Sequence, residues 1–198
     1  MTYLRLKQAL ATLAVAAALV LIWPLFLTAR TPIAAAPPSA DAVVAAAVQR
    51  ARESGKTVLI EFGASWCVWC RNFEAFVTAP DSGPIVASHY VVTNLVVRER
   101  DDKIALENAG GNALMHTWGG ENSGLPFYVF LDADGRKVAD SNAMPDGSNI
   151  GFPATPDEIR AFMGLIDKTS HTLSKAQRDV LQASLTRRMP PPAPAPAR

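Results

Sequence analysis

Thr57-Val58-Leu59-Ile60-Glu61-Phe62-Gly63-Ala64-Ser65-Trp66-Cys67-Val68-Trp69-Cys70-Arg71 changes its pattern part-way along. Its first part, Thr57 to Phe62, is almost continuously apolar, as in a strand covered on both faces. From residue 67 the period changes, and Trp69, Phe73, Phe76 and Val77 recur at helical intervals until Pro80 closes the segment. The only two cysteines of the chain, Cys67 and Cys70, stand where the strand gives way to the helix. A thiolate at a helix N-terminus is stabilised by unpaired backbone N–H groups and the positive end of the helix dipole. Cys67 is therefore the expected nucleophile, and Cys70, one turn further in, the resolving thiol. A bridge across two intervening residues closes too small a loop to add much stability. Zinc would need two further ligands, and the histidines show no paired spacing that would supply them. The pair reads as redox-active, with no metal and no cofactor implied.

Working outward, Asp41 to Ser54 is predicted as a helix with Val43, Val44, Ala47, Val48 and Ala51 on its apolar side, ended by Gly55. Past the cysteine helix, Tyr90 to Val97 reads as a second strand. The mixed, glycine-containing region Arg98 to Gly124 follows, with a possible short helix around residues 103–108. Leu125 to Leu131 is a third strand; Asp132-Ala133-Asp134-Gly135 is a hairpin-type turn, and Arg136 to Asp140 returns antiparallel. Ser141 to Ala154 is a Gly, Pro and Asn-rich loop. Thr155-Pro156-Asp157-Glu158 combines an N-cap, a proline at the first helical position and a glutamate at the third, which starts a helix buried through Ile159, Phe162, Met163 and Ile166. Ser174-Lys175-Ala176-Gln177 repeats the capping pattern for a last helix running to about Arg188.

A covered strand, a cysteine pair opening a helix, and a later loop running into a Pro-containing strand together resemble the thioredoxin superfamily. The resemblance extends over roughly Thr57 to Ile166. Trp66-Cys67-Val68-Trp69-Cys70 and Gly124-Leu125-Pro126-Phe127 are its specific parts. It implies an α/β, thioredoxin-like three-layer fold, a central mixed sheet flanked by helices, and an exchange of thiols for disulfides with protein substrates. By the same resemblance Pro126 is cis and lies beside the sulfurs, and Leu125 contacts the substrate backbone. Glu61, the one acid in the strand, matches the position of a buried acid that helps move the proton of the resolving cysteine; burial would raise its pKa, as that role needs. Its side chain could instead reach solvent at the strand end. Trp66 is expected to pack beside the site and Trp69 to offer an exposed aromatic contact. Arg71 reads first as a solvated helix residue.

The ends of the chain point to a compartment. Arg5 and Lys7 precede an uncharged stretch, Ala9 to Leu27, after which come Arg30 and a Pro/Ala-rich run. Residues 1–30 read as a signal anchor or signal peptide, with Pro37 and Pro38 crowding the best cleavage position and favouring the anchor. Basic residues ahead of the apolar run would stay cytoplasmic, which puts the rest in the periplasm or an equivalent extracytoplasmic space, tethered to the inner membrane by residues 9–27. Residues 31–40 form a Pro/Ala-rich tether, 41–189 the thioredoxin-like domain with a C-terminal helical extension, and 190–198 a disordered Pro/Ala tail. A net charge of +1 over 198 residues makes no electrostatic case for nucleic acid. The leading reading is an envelope protein-disulfide reductase recharged by a membrane thiol donor. Disulfide oxidase, isomerase and a redox-inactive binding module stand as alternatives, because Val68-Trp69 matches neither Gly-Pro nor Pro-His between the cysteines.

Overall fold

β1 (Thr57–Gly63) sits between two neighbours and owes that place to having an apolar side chain on both faces. It pairs in parallel with β2 (Tyr90–Val96) and antiparallel with β3 (Phe127–Leu131), which in turn pairs antiparallel with β4 (Lys137–Asp140). The sheet order is β2-β1-β3-β4. The computed structural model describes residues 36–170 and 172–190, and all of these elements belong to the unit that begins at Pro37. The expected anchor at 9–27, the tether up to residue 35 and the tail beyond Pro190 lie outside the described residues. Among the described residues no helix is long and apolar enough to cross a membrane.

Helices cover both faces, as the composition of β1 requires. On one face, α1 (Ala40–Ser54) buries Ala47, Val48 and Ala51 against Val58, Ile60, Phe62, Leu95 and Val129. On the other, α2 (Val68–Thr78), α5 (Pro156–Thr169) and α6 (Lys175–Thr186) pack Phe73, Phe76, Phe162, Ile166, Leu181 and Leu185 against Leu59, Tyr128 and Phe130. The strand period of two divides β1 between these cores: Val58, Ile60 and Phe62 face α1, and Leu59 faces α2. Glu61 shares the parity of Leu59 and so is delivered to the α2 side, where Cys70 lies.

The local signals read from sequence are present as motifs. Gly55 ends α1 in the left-handed conformation at φ 67°, which a side chain would oppose. Thr155 and Glu158 form a reciprocal capping box at the start of α5, and Ser174 and Gln177 form another at α6. Four expectations are corrected. A helix, α3 (Gly83–His89), occupies the interval before β2 where none was foreseen; Gly-Pro reads as a breaker, but a proline in the first turn costs no intrahelical bond. The short helix expected at 103–108 is a 3₁₀ segment, Asp101–Leu106, followed by an unforeseen α4 (Gly111–Thr117) that buries Met115. β3 begins at Phe127 rather than Leu125, since Pro126 has no N–H to contribute to the ladder. α6 stops at Thr186, two residues short of the expected end.

Candidate functional site

The strand-to-helix junction places the two sulfurs. Cys67 caps α2, its Sγ accepts from the Cys70 backbone N–H at 3.0 Å, and the two cysteines are joined in a disulfide. Both are nearly inaccessible, at 3% and 7% exposure, and pack with Ala64 and the half-buried Leu125. The exposed faces around them are apolar: Val68 and Trp69 project to solvent beside Trp66.

The turn carrying Trp66 into Cys67 is held from the far end of β2. Ser65 donates through its N–H and its hydroxyl to the Glu99 carboxylate, at 2.6 and 2.8 Å. The Trp66 indole N–H donates to the Arg98 carbonyl at 2.8 Å, and the Arg100 guanidinium lies 4.4 Å above the Trp66 ring. Arg71 donates to the Ser65 carbonyl, which ties α2 to the same turn. Trp69, 45% exposed, stacks on Phe152 of the 141–154 loop at 5.9 Å between centroids. A cavity of about 340 Å³ beside them is walled by Trp69, Leu125, Ile150 and Phe152.

The Leu125–Pro126 peptide bond is cis. Asn149 donates to the carbonyls of Gly124 and Pro126, at 2.9 and 3.0 Å, so the acceptors on either side of Leu125 are occupied. Among the described residues Leu125 itself makes no backbone hydrogen bond, which leaves its N–H and carbonyl available to an extended chain.

Glu61 does not reach solvent at the strand end: it is 2% exposed, and its Oε1 has no hydrogen-bond partner among the described residues. Burial, with a smaller contribution from the Glu74 carboxylate, pushes its carboxyl up to about 8. A carbon added at Gly63 would stand 3.4 Å from Cys70 Sγ and 3.6 Å from Glu61 Oε1, ordinary contact distances that place sulfur and carboxyl around the same point of the backbone. A cavity of about 670 Å³ opens there, lined by Glu61, Gly63, Cys70, Glu74 and Glu99 among others. At neutral pH a carboxyl titrating near 8 is protonated in roughly nine molecules of ten, so it can carry a proton to the sulfur.

The structure thus brings together Cys67, Cys70, Glu61, Trp66, Trp69, Leu125 and Pro126. His116 Nε2 lies 3.1 Å from the Glu121 carboxylate, and both side chains are exposed. Arg98, Glu99, Asn149 and Phe152 also belong to the site and carry no motif in the sequence. Only their polar or aromatic character within loops could have marked them, since what they touch lies far away along the chain.

A family model described as thioredoxin-like matches residues 40–133, from α1 through β3. Over that stretch, a little under half of its length, the chain is similar to the thioredoxin-like family. Similar solved structures include a disulphide isomerase from Xylella fastidiosa Temecula1, at 22% identity over 57% of this chain and 80% of that one, with a TM-score of 0.45. The oxidised C-terminal domain of DsbD from Neisseria meningitidis is 19% identical over 54% of this chain and 84% of that one, with a TM-score of 0.38. A thioredoxin from Thermus thermophilus is 20% identical over 52% and 71%, with a TM-score of 0.36. No curated protein sequence matches the chain. β4, α5 and α6 lie beyond the matched stretch, yet α5 and α6 complete the core under the cysteine helix. A bonded C-x-x-C pair opening a helix of a thioredoxin-like domain is an apparatus for thiol–disulfide exchange.

Proposed function

We propose that the chain is an envelope thiol–disulfide reductase, held at the inner membrane by residues 9–27, that reduces disulfides in proteins and is recharged by a membrane thiol donor. The observation that carries the oxidoreductase reading is the Cys67–Cys70 disulfide at the start of α2, with Glu61 buried on the Cys70 side. In the reduced state Cys67 thiolate attacks one sulfur of a substrate disulfide, and the other leaves as a thiolate that takes a proton from water. Cys70 then gives its proton to the Glu61 carboxylate and attacks Cys67 Sγ. This closes the Cys67–Cys70 bond and releases the second substrate thiolate, so two electrons have passed to the substrate. For recharging, a donor thiolate attacks Cys67, and Cys70 leaves as a thiolate that takes the Glu61 proton. The donor's second thiol then displaces Cys67 and completes the donor's own disulfide.

Trp66, Trp69, Leu125 and Pro126 are assigned to substrate contact. The open hydrogen-bonding groups of Leu125 and the exposed face of Trp69 support that role. The reductive direction is supported by the charges near the resolving sulfur. Strong oxidants have a stabilised reduced form, whereas here the near-complete burial of Cys70 and the Glu74 carboxylate lining the same cavity would oppose a thiolate there. The envelope location and the tether rest on Arg5, Lys7 and the uncharged stretch that follows them.

The test is the reduction potential of the pair, with a Cys70→Ser variant to capture substrates. A reductase is expected below about −200 mV and should form mixed disulfides through Cys67; a value near −120 mV would make the protein an oxidant. Absence of both turnover and captured partners would overturn the oxidoreductase reading.

A further inference from the structure

We infer that Arg98 is a positioning residue for the exchange reaction, fixing the Trp66–Cys67 side of the substrate cleft against the Leu125–Pro126 side. This rests on the oxidoreductase reading and identifies what sets the width of the cleft. The strand register runs one residue past β2, with the Val97 N–H donating to the Gly63 carbonyl at 2.8 Å. Arg98 then takes up φ 52°, a left-handed conformation uncommon for a side-chain-bearing residue. That conformation gives the residue two directions of reach. Its carbonyl accepts from the indole of Trp66, the residue directly before Cys67. Its guanidinium donates through Nη1 to the Ser123 carbonyl at 2.7 Å, and through Nη2 to the carbonyls of Glu121 and Gly120 at 2.7 and 3.2 Å. These three carbonyls belong to the run that leads directly into Leu125 and Pro126.

A planar fork of donors suits this role. It can hold three carbonyls at set angles, where a lysine would offer one compact charge and a longer search of conformations. The opposite side of the same turn is held by Asn149. Leu125 is thereby presented between two anchors with its own N–H and carbonyl uncommitted. Loss of the guanidinium leaves the sulfurs and Glu61 in place but frees the run from 120 to 124, and with it the strand-like edge a peptide would pair with. The reaction of Cys67 with a disulfide that makes no such pairing is untouched.

The distinguishing experiment uses the full chain, the variants Arg98→Gly and Arg98→Lys, and two oxidants: insulin as a protein disulfide and hydroxyethyl disulfide as a small one. Glycine accepts the left-handed backbone, so Arg98→Gly removes the side chain without opposing the conformation. Single-turnover oxidation of the reduced protein can be followed by tryptophan fluorescence. Arg98→Gly is expected to slow the reaction with insulin tenfold or more, leave hydroxyethyl disulfide within twofold, and leave the Cys67–Cys70 equilibrium with glutathione within twofold. Arg98→Lys should recover part of the loss. Equal slowing with both oxidants, or a shifted glutathione equilibrium, would reduce Arg98 to a stabilising contact and overturn the inference. An unchanged insulin rate in both variants would also overturn it. A parent protein that reacts with neither oxidant would instead overturn the oxidoreductase reading on which it rests.

Discussion

At the scale of single residues, Glu61 is a side chain whose chemistry departs far from its ordinary behaviour. A glutamate in the unfolded chain titrates near 4.5, whereas burial and Glu74 move it to about 8 in the folded protein. Between those values the folded state keeps a proton that the unfolded state has lost, so stability falls as pH rises through this window and levels off above it. At about 1.4 kcal/mol per pKa unit, the contribution swings by on the order of 5 kcal/mol. Glu61→Gln should lack that slope and be more stable than the parent at about pH 9, measured by urea unfolding of the oxidised protein. A parent whose slope between pH 5 and pH 9 matches that of the variant would show that Glu61 is not the titrating group. The same substitution should remove the fall in recharging rate expected as pH passes about 8, because the departing Cys70 sulfur then has no proton to take. Glu61 was legible in the sequence as the one acid in an apolar strand, and the period of two assigns it to the same face as Leu59. Its burial was not legible, because it depends on how far α2 and β2 close over that end of β1.

At the scale of elements, the connection from Arg98 to Gly124 carries the information that periodicity did not. It contains a 3₁₀ turn and a two-turn helix, both too short for an apolar stripe to show. Its order comes instead from polar anchors: Glu99 to Ser65, Arg98 to the carbonyls of 120–123, and Asn108 to the backbone of Val96 and Pro38. Gly120 shows how tightly this segment is set down. A carbon added there would lie 2.7 Å from Met115 Cγ and 2.7 Å from Phe127 Cδ1, closer than packed atoms tolerate. Gly120→Ala should therefore cost about 1–3 kcal/mol, read as a lowered urea midpoint with an unchanged slope. A loss under about 0.5 kcal/mol would mean that α4 and β3 separate freely and that the connection is a loose loop.

At the scale of the whole molecule, the two sides of the sheet are closed by different parts of the chain. α1 covers one face, and α5 and α6 join α2 on the other, so the cysteine helix rests on residues supplied from beyond position 150. α6 is integral to that packing: Leu181 and Leu185 are fully buried, and Ser184 donates to the hydroxyl of the buried Ser82 at 3.3 Å. Leu185→Ala should cost about 2–5 kcal/mol in urea unfolding, whereas an appendage merely touching the domain would lose less than about 1 kcal/mol. Residue type and spacing alone define the elements whose signals are local. A covered strand meets a helix at Cys67; Gly55 closes α1; Thr155 and Ser174 cap their helices through partners three residues away. Those interactions span a few residues and are written into spacing and residue type. The stacking of Trp69 on Phe152, the hold of Asn149 on the turn around Leu125 and the link that Arg98 makes from Trp66 to the Ser123 carbonyl arise only in the folded chain. Each of these contacts joins residues more than twenty apart, and the folded sheet, not any local period, brings them within reach.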